Sequence, residues 1–394
     1  MIDILASALA LPVLAMALYL ALLAVMARPR HSPGSVPQRL RFEVVIPAHN
    51  EELGIARTVR SVLALDYPRD LLRVVVIADN CDDRTTEFAA SAGAEVLIRD
   101  VPDVRGKGHA LTYGFEHSLH RAFADAVVVI DADTVVSANL LNAFSARFEA
   151  GAEALQAHYG VRNPESSWRT RLMHLAFTAF HTVRSLARER LGVSCGLRGN
   201  GMAFTTAVLR RVPHRAFSIV EDLEYGIALG LAGIRVHYVP EATALGDMCD
   251  GEKQSRPQRD RWEKGRARVA KAYVQSLLIE GFRRRDPVLL DLAMDLLVPP
   301  LGQVGVVAAA GTAACVGALA LGWTLQIAPW LWAGSLAGLA IYAGRSVILS
   351  KTGIRGALDL LWVPIYLGWK LVLPLTTRRA PTGEWVRTPR DERR

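Results

Sequence analysis

Three stretches of the chain stay apolar for the length of a membrane crossing, and a long segment of shorter alternations separates the first from the other two. From Ile4 to Ala27 no charged residue occurs and Ala, Leu and Val dominate. A helix needs roughly 20 such residues to cross the hydrocarbon core of a bilayer. Only Asp3 precedes this run as a charge, whereas Arg28, Arg30, Arg39 and Arg41 follow it. A secretory signal carries its positive residues first and is shorter, so an uncleaved anchor is predicted, with the chain after Arg28 in the cytoplasm. Beyond the basic cluster Arg283, Arg284 and Arg285, Leu301 to Trp323 and Ala328 to Leu349 read as two further spans, returned to the same side by Arg345, Lys351 and Arg355. Asp286 to Pro300 sets Asp286, Asp291 and Asp295 among leucines and is predicted to lie in the membrane interface. Leu358 to Leu375 is interrupted by Pro364 and Pro374 and holds Lys370. The arginine-rich tail behind it would face outward if it crossed, so a dipping segment is expected.

Between Arg41 and about Gly281 short β-branched runs alternate with longer amphipathic ones. Phe42–Pro47, Arg73–Ala78, Ala94–Ile98 and Ala126–Ile130 read as strands, with Glu52–Leu65 and Lys107–Leu119 as helices between them. This alternation predicts an α/β domain whose largely parallel sheet is covered on both faces. Ligands of such sheets bind beyond the carboxyl ends of the strands. The residues to read are therefore Ala48-His49-Asn50-Glu51, Asp79-Asn80 and Asp131-Ala132-Asp133. His31 to Leu40, rich in Pro, Ser, Gly and Arg, reads as a linker.

Composition fits a charged domain fused to membrane helices: 51% of the 394 residues are apolar and 21% are charged. These values exclude a disordered chain and a pure membrane bundle. The net charge of +8 suits nucleic acid, anionic lipid or a phosphorylated substrate. It concentrates beside the apolar segments and in the tail, and no basic strand is interleaved with aromatics, which argues against nucleic acid. Cys81, Cys195, Cys249 and Cys315 lack metal-ligand spacing, so neither a zinc site nor a disulfide framework is expected.

Four motifs carry possible chemistry, and each has a bland reading. Asp131 and Asp133 flank one residue at a strand end, where two carboxylates can converge on Mg²⁺ or Mn²⁺; Asp also simply ends strands. Arg105-Gly106-Lys107-Gly108 precedes a helix and can receive an anion, or be a solvated turn. Ser218 and Glu221 fit a capping box, while Asp222 next to them could be a general base at a pocket mouth. In Gln258-Arg259-Asp260-Arg261-Trp262, Arg261 can hold a diphosphate and Trp262 offers a stacking face. With Lys264, Arg266 and Arg268 the same stretch could be a basic surface before the membrane.

Taken together and in this order, these residues resemble the family 2 glycosyltransferases, in the membrane-embedded branch of cellulose, chitin, hyaluronan and poly-N-acetylglucosamine synthases. The resemblance spans about Phe42 to Lys271. It implies a GT-A type, Rossmann-like, mostly parallel sheet domain with N-terminal and C-terminal transmembrane helices. The implied organisation is an anchor (1–28), a linker (29–40), a cytoplasmic glycosyltransferase domain (41–281), a membrane region (282–376) and a basic tail (377–394). Pro47, Ala48, Asn50 and Glu51 resemble the opening loop that receives the nucleotide, and Asp79 the aspartate that meets uracil. Asp131-Ala132-Asp133 resembles the DxD motif, with Asp133 chiefly on the metal and Asp131 also toward the nucleotide. Gly199 and Asn200 resemble the loop beside the donor sugar, and Lys107 and Arg261 would help the diphosphate leave. Glu221-Asp222 resembles the motif whose aspartate is the base, and Gln258 to Trp262 forms a full QxxRW, placing Glu221, Gln258 and Trp262 at the acceptor.

The resemblance implies an inverting transfer from a UDP-sugar, with Mn²⁺ or Mg²⁺, to a growing polysaccharide or oligosaccharide at the inner membrane. Single transfer to a membrane lipid, as by ceramide glucosyltransferase or to a polyprenyl-linked acceptor, is the alternative. A non-catalytic nucleotide-sugar sensor would be indicated by missing carboxylates, and all of them are present.

Overall fold

The computed structural model describes residues 2–29, 34, 36–248 and 252–362, the stretch 252–261 by its backbone alone. Helix α1 (Ile2–Met26) opens the chain. The first half of the domain follows as β1 (Phe42–Ala48), α2 (Ile55–Leu63), β2 (Leu72–Asp79), α3 (Thr85–Ser91), β3 (Glu95–Arg99), α4 (Lys107–Arg121) and β4 (Ala126–Val129). All seven residues of β1 are buried, as expected of a central strand covered on both faces. Strand β1 pairs in parallel with β2 and β4, and β2 with β3.

The second half comprises β5 (Thr134–Val136), α5 (Leu140–Glu149), β6 (Ala154–Val161), α6 (Trp168–Phe177), α7 (Arg184–Leu191), β7 (Met202–Thr205), α8 (Thr206–Arg211), α9 (Glu221–Leu231) and β8 (Val236–Gly246). A π-helical turn, Thr178–Val183, joins α6 to α7. The mostly parallel expectation holds for four of the seven strand pairings, and the other three add antiparallel strands. Strand β7 runs antiparallel to both β4 and β6, and β5 antiparallel to β8, while β6 and β8 are parallel. The result is one mixed eight-stranded sheet ordered β3-β2-β1-β4-β7-β6-β8-β5. Strands β5 and β7 have three and four residues, too few to show a period in sequence.

The chain continues through α10 (Glu252–Arg284), α11 (Pro287–Leu297), α12 (Leu301–Ala320), α13 (Ala328–Ser350) and α14 (Gly353–Asp359). Helices α1, α12 and α13 are long and apolar enough to cross a membrane. Helix α1 packs along α13 through small residues: a Cβ on Gly338 would lie 2.9 Å from the Ala17 carbonyl oxygen. The Asp3 carboxylate accepts hydrogen bonds from the backbone N–H of Ile327 (3.2 Å) and Ala328 (3.0 Å), tying the start of α1 to the start of α13.

The segment expected in the membrane interface packs against α9 and α10. Leu289, Leu292, Ala293 and Leu296 of α11 join Ile227 and Leu277 in a separate core cluster. Asp295 is buried, paired with Arg184 and Arg188 of α7 at 2.7 Å each. The apolar segment beyond residue 362, with Pro364, Lys370 and Pro374, lies outside the described residues, as do tail residues 377–394 and linker positions 30–33 and 35.

Candidate active site

The carboxyl edge of β1, β2 and β4 gathers the predicted residues, and their local backbone explains the gathering. Strand β1 ends at Ala48, and Asn50 turns the chain with φ 55°. Its side-chain oxygen accepts from the Asp82 N–H (2.9 Å), and the Glu51 N–H donates to the Thr85 hydroxyl (2.7 Å), so the two loops hold each other. Pro47 and Ala48 are buried in register with Ile77 and Ala78; they shape the floor of this edge.

Asp79 closes β2, fully buried, opposite Arg99 in the β2–β3 register. One carboxylate oxygen accepts from Arg99 at 2.5 Å, and the other is buried without a partner. A buried acceptor left open in this way is what an incoming N–H donor would fill. Arg99 escaped the sequence reading, although it ends β3 directly beside Asp79 in the strand register.

At β4 the loop Asp131-Ala132-Asp133 is held from behind by Asn200. The Asn200 side chain accepts from the Asp131 N–H (3.1 Å) and donates to the Thr134 hydroxyl (2.7 Å), with no exposed surface. Both polar ends of its amide bond the protein, so Asn200 fixes the loop expected beside the donor. The flanking glycines need their freedom, since Gly199 and Gly201 sit at φ 80° and 70°.

Lys107, first residue of α4, lies between the two halves of the site. Its ammonium is 2.6 Å from Asp131, 2.7 Å from the Gly199 carbonyl and 3.4 Å from Glu221. Burial works against its charge, but Asp131 and Glu221 prevail and hold its pKa above the ordinary lysine value. Glu221 and Asp222 open α9, whose N-cap is Val220 without a side-chain bond. The capping box is thus not formed: the Ser218 N–H donates to Glu224 (3.3 Å), and the Ser218 hydroxyl is buried without a partner. Burial pushes Glu221 up to about 7, with Lys107 opposing, and raises Asp222 against the pull of Lys107 and Arg198. A Cβ built on Gly199 would lie 3.5 Å from both the Asp222 carboxylate and the Lys107 ammonium. DxD loop, lysine and paired acids therefore form one pocket wall.

Opposite it, Trp262 on α10 approaches Phe177 with ring centroids 6.4 Å apart. Tyr159 of β6 stands 5.4 Å from Phe177, and burial together with the charges of Asp131 and Asp133 lifts its pKa well above the ordinary value. The side chains of Gln258 and Arg261 lie outside the described residues. Among the described residues no group of three or more His, Cys, Asp or Glu side chains could hold a metal ion. Asp131 and Asp133 do offer hard oxygen donors at an open edge, Asp131 with 28% of its side chain exposed. That set fits Mg²⁺ or Mn²⁺ only in the shared manner, with phosphate oxygens completing the shell.

The mixed sheet with acidic loops at its carboxyl edge is a GT-A-like fold. Residues 37–269 match the family model described as "Glycosyltransferase like family 2", and the chain belongs to that family. A probable glycosyltransferase of Bacillus subtilis is 26% identical over 268 residues, covering 64% of this chain and 60% of the relative. An N-acetylglucosaminyltransferase of Azorhizobium caulinodans is 25% identical over 243 residues, covering 58% and 60%. A beta-monoglucosyldiacylglycerol synthase of Trichormus variabilis is 30% identical over 184 residues, covering 45% and 38%. The matched region thus spans about 60% of the length of the first two relatives. In fold, the chain is similar to a mannosyltransferase from Pyrobaculum calidifontis solved with GDP-Man and Mn²⁺, with TM-score 0.56, 20% identity, and 91% and 99% of the two chains covered.

Proposed function

We propose that the protein is an inverting glycosyltransferase that moves a sugar from a UDP-sugar to an acceptor hydroxyl presented at the membrane. The observation that carries this reading is the Lys107-bridged constellation of Asp131, Glu221 and Asp222 beside the DxD loop. Asp79, held by Arg99, receives the uracil N–H on its open oxygen. Asp222 accepts the proton of the attacking hydroxyl, and burial raises its pKa above the ordinary aspartate value, which makes it a stronger base. Glu221 shares the same lysine and orients the acceptor. As the acceptor oxygen bonds the anomeric carbon, the bond from that carbon to the diphosphate oxygen breaks and its electron pair leaves with UDP. Lys107 faces the growing charge on that diphosphate, where the motif resemblance also calls for Arg261; stabilisation of this kind is commonly the largest catalytic contribution. Asp131 and Asp133 would hold a divalent cation, which supplies further charge neutralisation when bound.

The catalytic domain is read as cytoplasmic in a multi-pass protein of the inner membrane, on the evidence of Arg28, Arg30, Arg39 and Arg41 behind the first apolar helix. The leading acceptor is a growing saccharide chain stacked on Trp262. A second reading, single transfer to a membrane lipid, is supported by the packing of α13 against the π-helical turn that lines the acceptor wall. Mass spectrometry of products from the membrane-reconstituted chain, given mixed UDP-sugars, Mn²⁺ and bacterial lipid extract, tests the proposal. A ladder of equal sugar increments supports the polymer, and one increment on one lipid supports the second reading. Intact UDP-sugars with no product would refute both.

A further inference from the structure

Beside the acceptor wall, where the domain meets the membrane helices, four arginines converge on two carboxylates. Arg184 and Arg188 lie on α7, Arg198 in the loop before β7 and Arg266 on α10; the first three are 3%, 0% and 7% exposed. Asp295 pairs with Arg184 and Arg188 at 2.7 Å and with Arg266 at 3.5 Å, and Asp291 with Arg188 at 3.0 Å. Arg198 has no ion pair among the described residues. One of its terminal nitrogens donates to the Cys195 carbonyl (2.9 Å), and its Nε is buried without a partner. Burying a guanidinium short of anions is unfavourable, and burial outweighs the attraction of Asp295 to push both Arg198 and Arg266 below the ordinary arginine pKa.

The cluster also has a shape. Arg184, Arg198 and Arg266 stand over the ring of Phe180 at 4.8, 4.4 and 5.3 Å from its centroid. Phe180 belongs to the π-helical turn, an irregularity often found at functional sites. Trp262 and Arg266 are four residues apart on α10 and so share a face. They meet Phe177 and Phe180, three residues apart on the opposing helix. One wall thus carries an aromatic step and, a helical turn away, a cationic one. The cationic step touches the membrane helices: Arg184 donates to the Tyr342 hydroxyl of α13 (3.1 Å), and Arg188 to the Tyr19 hydroxyl of α1 (2.8 Å). It also lies near the acidic pair: Arg198 precedes Gly199, whose Cβ position is 3.5 Å from the Asp222 carboxylate, and its charge acts on Asp222.

We propose that Arg198 and Arg266 form a binding site for the phosphate of a membrane-lipid acceptor, which brings a hydroxyl of the same headgroup to Asp222. This rests on the glycosyltransferase reading and narrows its second form to lipids that carry phosphate beside the reacting hydroxyl. Guanidinium forks match phosphate oxygens in geometry as well as charge, and the lipid chains continue toward α1 and α13. In the transfer the hydroxyl oxygen bonds the anomeric carbon, UDP departs with the electron pair of the broken bond, and the proton passes to Asp222. The lipid phosphate is left unchanged.

The test uses the full chain in phosphatidylcholine vesicles doped with phosphatidylglycerol or with diacylglycerol, each of which has a free glycerol hydroxyl. Mixed UDP-sugars and Mn²⁺ are added, and glycosylated lipid and free UDP are measured. Phosphatidylglycerol is expected to be glycosylated faster by about tenfold or more, the worth of a charge-assisted hydrogen bond. Arg266→Gln is expected to raise the half-saturating phosphatidylglycerol by about tenfold, with Arg266→Lys in between. Equal use of the two lipids overturns the phosphate site, as does UDP release with neither lipid glycosylated. Glycerol 3-phosphate glycosylated as readily as phosphatidylglycerol overturns the lipid source. If Arg266→Gln does not fold, the two-lipid comparison on the unaltered chain carries the test. Absence of UDP-sugar binding by the unaltered chain would instead remove the glycosyltransferase reading itself.

Discussion

Replacing Lys107 with Met removes the cation that bridges the DxD loop and the Glu221-Asp222 pair. The ammonium is 2.6 Å from Asp131 and 3.4 Å from Glu221, with only 19% of the lysine side chain exposed. Breaking a buried ion pair costs about 3–5 kcal/mol; partial exposure of both Lys107 and Asp131 argues for the lower end. About 3 kcal/mol at the transition state is roughly a hundredfold in rate. The sign of the pH effect follows from the same contacts. Lys107 lowers the pKa of Glu221 and Asp222 against their burial, so without it both rise, and Asp222 becomes ionised only at higher pH. The acid limb of the pH–rate profile should move upward, and Lys107→Arg should restore part of the shift. The assay is initial UDP release across pH 5 to 10 (an approximate working range around the perturbed pKa values) for the three proteins. A Lys107→Met enzyme with near-normal rate and an unmoved acid limb would refute the reasoning.

Arg99→Met should leave Asp79 buried without its counter-charge and weaken UDP binding by about tenfold or more; calorimetric UDP titration checks this, with kcat less affected than the donor KM. Asn200→Ala should release the Asp131–Thr134 loop and raise the half-activating Mn²⁺ concentration about 10–100-fold, as for other residues that orient metal ligands. Glu221 holds its proton to about 7 in the folded chain, whereas the unfolded chain loses it near the ordinary glutamate value. The folded state therefore binds more protons between the two values, and stability falls as pH rises through that window. Thermal midpoints of Glu221→Gln should lack this part of the decline, and an unchanged pH slope would contradict it.

Much of the donor side was legible because strands buried on both faces are written as continuous apolar runs, and their ends are marked by polar residues. Phe42–Pro47 and Ala126–Ile130 fall within a residue of β1 and β4, which places Asp79, Asp131 and Asp133 at one edge. The short antiparallel strands β5 and β7 were not legible, since three or four residues carry no period. Local hydropathy cannot reveal that Asp291 and Asp295 meet Arg184 and Arg188 of α7, far upstream in the sequence. Ser218 and Glu221 have the spacing of a capping box, yet α9 starts at Glu221 itself, which leaves that carboxylate for Lys107. The role of the Asn200 amide in bracing the Asp131–Thr134 loop is a tertiary contact that its motif could not show.

The central claim is that Asp222 is the base of an inverting transfer. It is tested most directly by comparing UDP binding and sugar transfer in the reconstituted chain and its Asp222→Asn variant, whose side chain keeps the shape and loses the proton acceptor. The account expects UDP affinity within about threefold of the unaltered chain and transfer reduced by at least about a hundredfold. Transfer at a near-normal rate, or a covalent glycosyl-enzyme trapped in either protein, would contradict it.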